Sequence, residues 1–431
     1  MDGRSKPALL AAAAVVLALA ASGCWPAPGQ GPDRSGYNPF ETVITPATVR
    51  SLAPVWTATI DAGTGSGTVG PPVVSNTDVH VSDGGAVHTF DAATGAERWH
   101  YPEDPSGFGF VGDPQADGDR VLYTSGQPMG LGGGWLSYTG WLDARTGAIQ
   151  GDVSANRVTG RRDTRLASYA MGGGPITGLY WFSLQVKDLT DPTFGWYNVV
   201  RLGSAPAAAP PATLGRERLY YAGPATVSYQ PPATVTGVRA FPLTRPAPCA
   251  QPPEGLPVGP LPCPLWATPT SGAPVTSPVL APDESALYVG TDTGTLLALD
   301  AADGHVLWTA ALGAVPSADP ALADGWVYVP LADGDLAALP TAGCGTATCP
   351  VAWRADVGGA ARQPAVAGGL VFVGTDTGWL VALRAAGCGH PTCRPLWGRD
   401  FGAPVTGAPA VTGGRVYIGV APDQVVALAP S

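Results

Sequence analysis

The chain has 431 residues, 45% of them hydrophobic and only 13% charged, with a formal net charge of −10. That length buries the core of one large or two ordinary domains, and the sparse charge excludes a disordered polyelectrolyte or a long charged coiled coil. An acidic chain lacks the excess of Lys and Arg that neutralises phosphates, so nucleic acid is excluded as a main partner.

Residues 1–23 read as a targeting segment. Arg4 and Lys6 precede an apolar run of about 14 residues from Ala8 to Ala21, too short for a transmembrane helix, which needs about 20. The segment ends Ala21-Ser22-Gly23-Cys24. Small residues before a cysteine resemble a bacterial lipobox, in which the cysteine becomes the lipid-bearing N-terminus. This resemblance implies lipidation at Cys24 and a place on the outer side of the bacterial cytoplasmic membrane. Residues 24–38 are rich in Pro and Gly and read as a flexible tether. Residues 39–431 remain for one folded domain.

Six further cysteines fall as Cys249/Cys263, Cys344/Cys349 and Cys388/Cys393. An oxidising compartment favours disulfides, and local pairing is the simplest connectivity. AGCGTATCPVAW (342–353) and AGCGHPTCRPLW (386–397) are the same element twice. The spacing is not that of a zinc site.

A pattern recurs roughly every 44 residues, the mark of a repeat architecture. LYVGTDTGTLLAL (287–299), VYVPLADGDLAAL (327–339) and VFVGTDTGWLVAL (371–383) align without gaps, followed by VYIGVAPDQVVAL (416–428), and VHVSDGGAVHTF (79–90) is one residue shorter. Each is a β-rich run, a Gly/Asp turn and a second β-rich run, which predicts a hairpin. A second turn and a Trp follow, as in FDAATGAERW (90–99) and LDAADGHVLW (299–308). The tryptophans of this set are Trp99, Trp196, Trp266, Trp308, Trp353 and Trp397, with Gly151 in the place of one. An indole on a fourth strand can bolt one sheet to its neighbour, since buried aromatics cover about 150–250 Å2. The last hairpin lacks a Trp of its own, and LAPVWTATI (52–60) supplies Trp56 at the other end of the chain. The prediction is an all-β, eight-bladed β-propeller of four-stranded antiparallel blades, the last closed by the N-terminal strand so that no sheet edge stays open.

The Asp91-x-x-Thr94-Gly95-x-x-x-Trp99 turn resembles the hallmark of the quinoprotein dehydrogenase-like, or pyrroloquinoline-quinone-like repeat, propellers. The family includes cofactor-bearing dehydrogenases and cofactor-free members such as an outer-membrane assembly lipoprotein. The dehydrogenase branch uses a disulfide between adjacent cysteines and a Glu/Asn/Asp set that holds calcium. This chain has no Cys-Cys dipeptide, and none of Asn38, Asn76, Asn156 and Asn198 sits beside Glu and Asp in that pattern. No catalytic residue, metal ligand or cofactor is assigned, and the resemblance points to the cofactor-free branch. His80 and His88 are read as a structural pair facing each other across one hairpin. GFGFVG (107–112) matches a dinucleotide motif but precedes Asp113-Pro114 rather than a helix, so it reads as a loop.

Extra length gathers in three successive blades, in SGQPMGLGGGW (125–135), GGGPITG (172–178) and PATVSYQPPAT (224–234). The nearby ANRVTGRRDTR (155–165), read as a connection between blades, carries the only local basic cluster. Loops on a rigid scaffold are common binding elements. Met129, Trp135 and Tyr229 are the candidate apolar contacts, and Arg157, Arg161, Arg162 and Arg165 the candidate contacts for an anionic or acidic partner. The expected function is a membrane-anchored binding or scaffold lipoprotein for an envelope protein or cell-wall ligand. The alternative is a pyrroloquinoline-quinone-dependent dehydrogenase whose site escapes the motifs.

Overall fold

The computed structural model describes residues 24–61, 67–102, 110–129, 134–152, 157–162, 165–174, 179–188, 191–202, 212–229, 232–244, 247–250 and 261–431. The targeting segment and the centre of the dinucleotide-like loop lie outside them. Among the described residues no helix is long and apolar enough to cross a membrane.

Among the described residues eight blade sheets follow one another along the chain, each with four strand positions; Tyr37–Asn38 adds a short parallel strand to the seventh, and Pro248–Ala250 with Leu261–Pro262 forms a separate two-stranded sheet. Blade 1 is Val73–Ser75, Asp78–Ser82, Val87–Asp91 and Glu97–Tyr101. Blade 2 splits its first strand into Phe110–Val111 and Gln115–Asp117, then runs Arg120–Met129, Gly134–Asp143 and Ile149–Asp152. Blade 3 is Arg157–Arg162, Arg165–Gly174, Leu179–Asp188 and Asp191–Leu202, and blade 4 is Thr213–Leu214, Arg218–Tyr229, Pro232–Pro242 and Trp266–Pro269. Blade 5 is Val279–Leu280, Ala286–Gly290, Thr295–Asp300 and Val306–Ala311. Blade 6 is Ala321–Ala323, Trp326–Pro330, Asp335–Pro340 and Trp353–Asp356, and blade 7 is Ala365–Ala367, Leu370–Gly374, Trp379–Arg384 and Trp397–Asp400. Blade 8 takes Ala410–Thr412, Arg415–Val420 and Gln424–Pro430 from the C-terminus and Leu52–Thr59 from the N-terminus, with Trp56 opposite Ala427. First strands of blades 1 and 2, 3 and 4, 6 and 7, and 7 and 8 touch one another, as do those of blades 8 and 1.

The seams between blades repeat one device. Asp91 Oδ1 accepts from the N–H groups of Ala93 (3.0 Å) and Thr94 (2.8 Å), and Asp143 does the same for Arg145 and Thr146. An Asp that bonds the backbone two and three residues on favours this turn. Gly95 follows at φ +74°, and a Cβ there would stand 2.6 Å from the indole of Trp56 in blade 8. The indoles of Trp99, Trp266, Trp308 and Trp353 lie in the same way against Gly147, Gly304, Gly343 and Gly387 of the next blade. Trp397 is partly buried against the core that blades 7, 8 and 1 share. Trp196 lies on the last strand of blade 3, and its side chain is outside the described residues.

Five of these indoles have a ring partner at one position of the repeat. Tyr220, Tyr288, Tyr328 and Tyr417, on second strands, stand about 6 Å from Trp266, Trp308, Trp353 and Trp56. Tyr288 Oη and Trp308 Nε1 both donate to the Thr341 carbonyl of the next blade, at 3.1 and 3.2 Å. Tyr220 and Trp266 likewise share the Ala301 carbonyl, and Tyr417 and Trp56 share that of Ala92. His80 fills this Tyr position in blade 1, 6.0 Å from Trp99.

The cysteines pair as Cys249–Cys263, Cys344–Cys349 and Cys388–Cys393. Two of these loops clamp the preceding blade. Cys349 N–H donates to the Thr309 carbonyl (2.7 Å) and Thr309 N–H to the Ala347 carbonyl (2.9 Å), while Cys393 and Arg354 repeat the first contact at 2.7 Å. Each of these two loops therefore covers the outer edge of its neighbour's fourth strand, an edge otherwise open to pairing.

Candidate functional site

Residues 25–38, expected as a flexible tether, instead run around the inner edges of the blades. Trp25 exchanges both backbone hydrogen bonds with Val74 of blade 1 (2.7 and 2.8 Å) and is fully buried. The carbonyls of Pro26, Pro32, Asp33, Ser35 and Gly36 accept from Ala116, Leu214, Leu280, Leu322 and Val366, which lie on the first strands of blades 2, 4, 5, 6 and 7. Asn38 Nδ2 then donates to the Val411 carbonyl of blade 8 at 2.9 Å. The physical reason is a shortage of acceptors. A first strand has no strand of its own blade on its inner side, and a buried unpaired N–H costs about 1–3 kcal/mol; at blade 7 the leader becomes a strand outright, Tyr37–Asn38 pairing in parallel with Val366 and Ala367. Proline, which lacks an N–H, still offers its carbonyl. The pair Arg34–Asp319 pins this leader at 3.0 Å, with both side chains largely buried. Asp319 Oδ1 also accepts from Ser277 N–H at 2.7 Å.

The leader enters at the end of the blades that carries the Asp turns. Cys24 Sγ lies 3.3 Å from Asn76 Oδ1, in the turn between the first two strands of blade 1. Burial raises the Cys24 thiol pKa.

The predicted binding surface divides. Blades 2, 3 and 4 lengthen their second and third strands to between 10 and 12 residues, against 5 to 7 in blades 5 to 8. The segments read as long loops are thus paired strands, with Met129 opposite Gly134, Trp135 opposite Pro128 and Tyr229 opposite Pro232. The side chains of Met129, Trp135 and Tyr229 lie outside the described residues. So do those of Arg157 and Arg161, whose backbone forms the first strand of blade 3 and not a connection. Arg162 and Arg165 face each other at the Asp-turn end of that blade, opposite the hairpin tips. Arg162 bonds the Leu214 carbonyl (3.1 Å) and pairs with Glu284 (2.8 Å), and Arg165 bonds the Leu243 carbonyl (2.9 Å). These two arginines tie blade 3 to blade 4, so they do not join one surface with the three apolar candidates.

The histidine reading also changes. His80 is in register with Thr89 and His88 with Val81, so adjacent registers place the two imidazoles on opposite faces. His80 is fully buried between Ser75 Oγ (2.9 Å) and Thr89 Oγ1 (2.8 Å), and burial lowers its pKa to about 3. His88 faces His100 instead, ring to ring at 5.6 Å. Its Nδ1 is 3.0 Å from Glu97 Oε1 and its Nε2 3.5 Å from Asp83 Oδ2. Burial acts against the imidazolium, but its hydrogen bonds to the Asp83 and Glu97 carboxylates outweigh it and raise the pKa. Sequence reading missed the second-strand tyrosines, although LYVG, VYVP and VYIG align them. It missed Glu97 and His100 because a bulge, which no residue pattern announces, brings them to His88.

Groups of three or more His, Cys, Asp or Glu side chains close enough to share an ion occur twice among the described residues. They are His88/Glu97/His100 and Asp300/Asp303/His305. Both sit on third strands, fourth strands and the turns between them. Neither is the set of oxygen donors that holds calcium.

Eight blade sheets in chain order, Asp turns and Trp seams define the class as a β-propeller built of pyrroloquinoline-quinone-like repeats. The chain belongs to the family described as outer membrane protein assembly factor BamB, matched over residues 46–160, 264–348 and 347–430. Among solved structures it is similar to the quinohemoprotein alcohol dehydrogenase of Comamonas testosteroni, at 16% identity and a TM-score of 0.64, covering 98% of this chain and 84% of that one. It is also similar to BamB of Moraxella catarrhalis, at 14% identity and a TM-score of 0.59, covering 88% and 99%. A computationally designed protein, Ika8, matches at 14% identity and a TM-score of 0.58, covering 86% and 98%. These likenesses establish the fold. No curated protein matches the sequence.

Proposed function

We propose that this protein is a lipid-anchored propeller of the cell envelope that binds a macromolecular partner and turns over no substrate. The observation that carries the reading is the lengthening of paired strands in three successive blades, Arg120–Met129 with Gly134–Asp143, Arg165–Gly174 with Leu179–Asp188, and Arg218–Tyr229 with Pro232–Pro242. Backbone-paired extensions on a rigid ring suit a binding surface, because little conformational freedom is lost on docking. An anchor at Cys24 supports the same orientation. It would emerge at the Asp-turn end and leave the hairpin tips pointing away from the membrane, on its outer side. Family membership agrees with a role in the envelope, with an envelope protein or cell-wall ligand as partner.

Two measurements test this. Cys24→Ser is expected to abolish labelling by a clickable fatty acid and to move the protein from the membrane to the soluble fraction. Replacing residues 127–136 and 227–234 with short Gly-containing turns should remove partners recovered by cross-linking in cells, while the propeller keeps its unfolding midpoint. Unchanged partners would overturn the binding surface. Retention of one equivalent of pyrroloquinoline quinone after incubation with calcium and desalting would replace the whole reading with a dehydrogenase.

A further inference from the structure

We propose that blade 1 carries a site for a divalent transition metal such as zinc, formed by His88, Glu97 and His100, with Asp83 positioning His88. The three side chains place ligand atoms within 4.8 Å of one another. Glu97 Oε1 stands 3.0 Å from His88 Nδ1 and 3.5 Å from His100 Nδ1. Ligand atoms about 2.0–2.1 Å from a tetrahedral zinc are roughly 3.3 Å apart, so an ion fits with small side-chain shifts. Two imidazoles and one carboxylate suit zinc, nickel or iron rather than calcium or magnesium.

Local backbone geometry builds this set. His88 and His100 are direct cross-strand partners on the third and fourth strands of blade 1. The register then slips between Thr89 and Phe90, so that Phe90 pairs with Glu97. A bulge of this kind re-aims a side chain, and here it turns Glu97 to the face of His88 and His100. Blade 5 has the same pairing and the same slip, yet its equivalent residues are Leu297, Val306 and Thr309. The repeat therefore needs no imidazole or carboxylate at these positions, and blade 1 alone of these two gathers three ligands.

Asp83 Oδ2 lies 3.5 Å from His88 Nε2, on the far side of the ring from Glu97. Its other oxygen accepts from Gly85 N–H (2.8 Å) and Ala86 N–H (2.7 Å), which fixes the carboxylate. A carboxylate behind a histidine commonly orients a metal-bound ring. Arg98, the nearest cation in sequence, is held away by Asp78 (3.0 Å) and Asp91. Glu97 and His100 line an open groove of about 680 Å3 between the outer strand of blade 1 and residues 146–149 of blade 2. The groove gives an ion a way in and leaves room for a water as fourth ligand.

The test is a cobalt(II) and zinc titration of untagged, chelator-stripped protein, read by the visible d–d absorption of bound cobalt and by equilibrium dialysis. The wild type should bind one equivalent. Glu97→Gln and His100→Ala, both partly exposed positions that the fold tolerates, should weaken binding at least 10-fold, and Asp83→Asn by about 10- to 100-fold. His305→Ala, which removes a ligand from the second cluster, should leave binding unchanged. Absence of a bound equivalent, equal binding by wild type, Glu97→Gln and His100→Ala, or loss of binding in His305→Ala alone would overturn the proposal.

Discussion

Trp56 Nε1 donates to the Ala92 carbonyl at 3.1 Å, joining the first strand that enters the ring to the turn of blade 1. That bond crosses the seam where the chain closes on itself. Trp56 should therefore contribute more to stability than an exposed indole. Trp56→Ala removes a 9%-exposed side chain and its hydrogen bond, which is expected to cost about 3–5 kcal/mol. Trp379→Ala, at a 40%-exposed position, should cost less, since less of that indole is buried. Urea unfolding of both variants checks this, and equal midpoints would refute the seam.

Gly95 tests the same contact from the other side. Its φ of +74° and the indole beneath it both disfavour a side chain. Gly95→Ala should destabilise by about 1–3 kcal/mol, whereas Gly118→Ala, whose Cβ meets nothing within 4 Å despite φ +62°, should lose only the cost of its backbone conformation, about 1 kcal/mol. Thermal melts of the two variants separate packing from strain.

The leader is tied down by Arg34 and Asp319. Asp319→Ala should leave Arg34 without its carboxylate and loosen residues 25–36. Trypsin is then expected to cleave after Arg34 under conditions in which the wild type resists. N-terminal sequencing of the products gives the readout, and equal resistance would show that the backbone contacts hold the leader alone.

His80 predicts a pH dependence. Its pKa of about 3 in the folded protein lies below the value near 6.5 of an unfolded imidazole. Between those values the unfolded chain binds the extra proton. This contribution is complete above about pH 6.5 and is lost as the pH falls toward 3, with a loss of about 2 kcal/mol by pH 5. Phe372 occupies the equivalent place in blade 7, so His80→Phe should flatten this part of the stability profile. His88, whose pKa is raised, acts in the opposite direction in both proteins, so equal pH profiles for the wild type and His80→Phe between pH 7 and pH 5 would contradict the assignment.

Each small disulfide loop should stabilise through closure of a short segment. For Cys344–Cys349, with a sequence separation of 5, the chain-entropy estimate is about 2 kcal/mol. The double variant Cys344→Ser/Cys349→Ser should lose that amount and expose Thr309 N–H, now bonded to Ala347, to faster hydrogen exchange. Exchange confined to residues 342–350 would show that the clamp on blade 5 is independent of the bond.

Local chemistry made much of this molecule readable in advance. An Asp that bonds the backbone two and three residues on, a Gly at positive φ and a Trp eight residues after the Asp all act within one turn, so residue types alone announced the blades, their seams and the paired cysteines. The strand that closes blade 8 was legible because a missing Trp at one end matched a spare one at the other. Tertiary structure alone decided the rest. Residues 25–38 read as a tether because their composition is that of a linker, and carbonyl acceptance by unpaired inner strands leaves no trace in side-chain type. Arg162 and Arg165 read as a binding cluster because their partners, Leu214, Leu243 and Glu284, are remote in sequence. His88 met His100 and Glu97 through a register slip, and register belongs to the pairing of two strands rather than to either one.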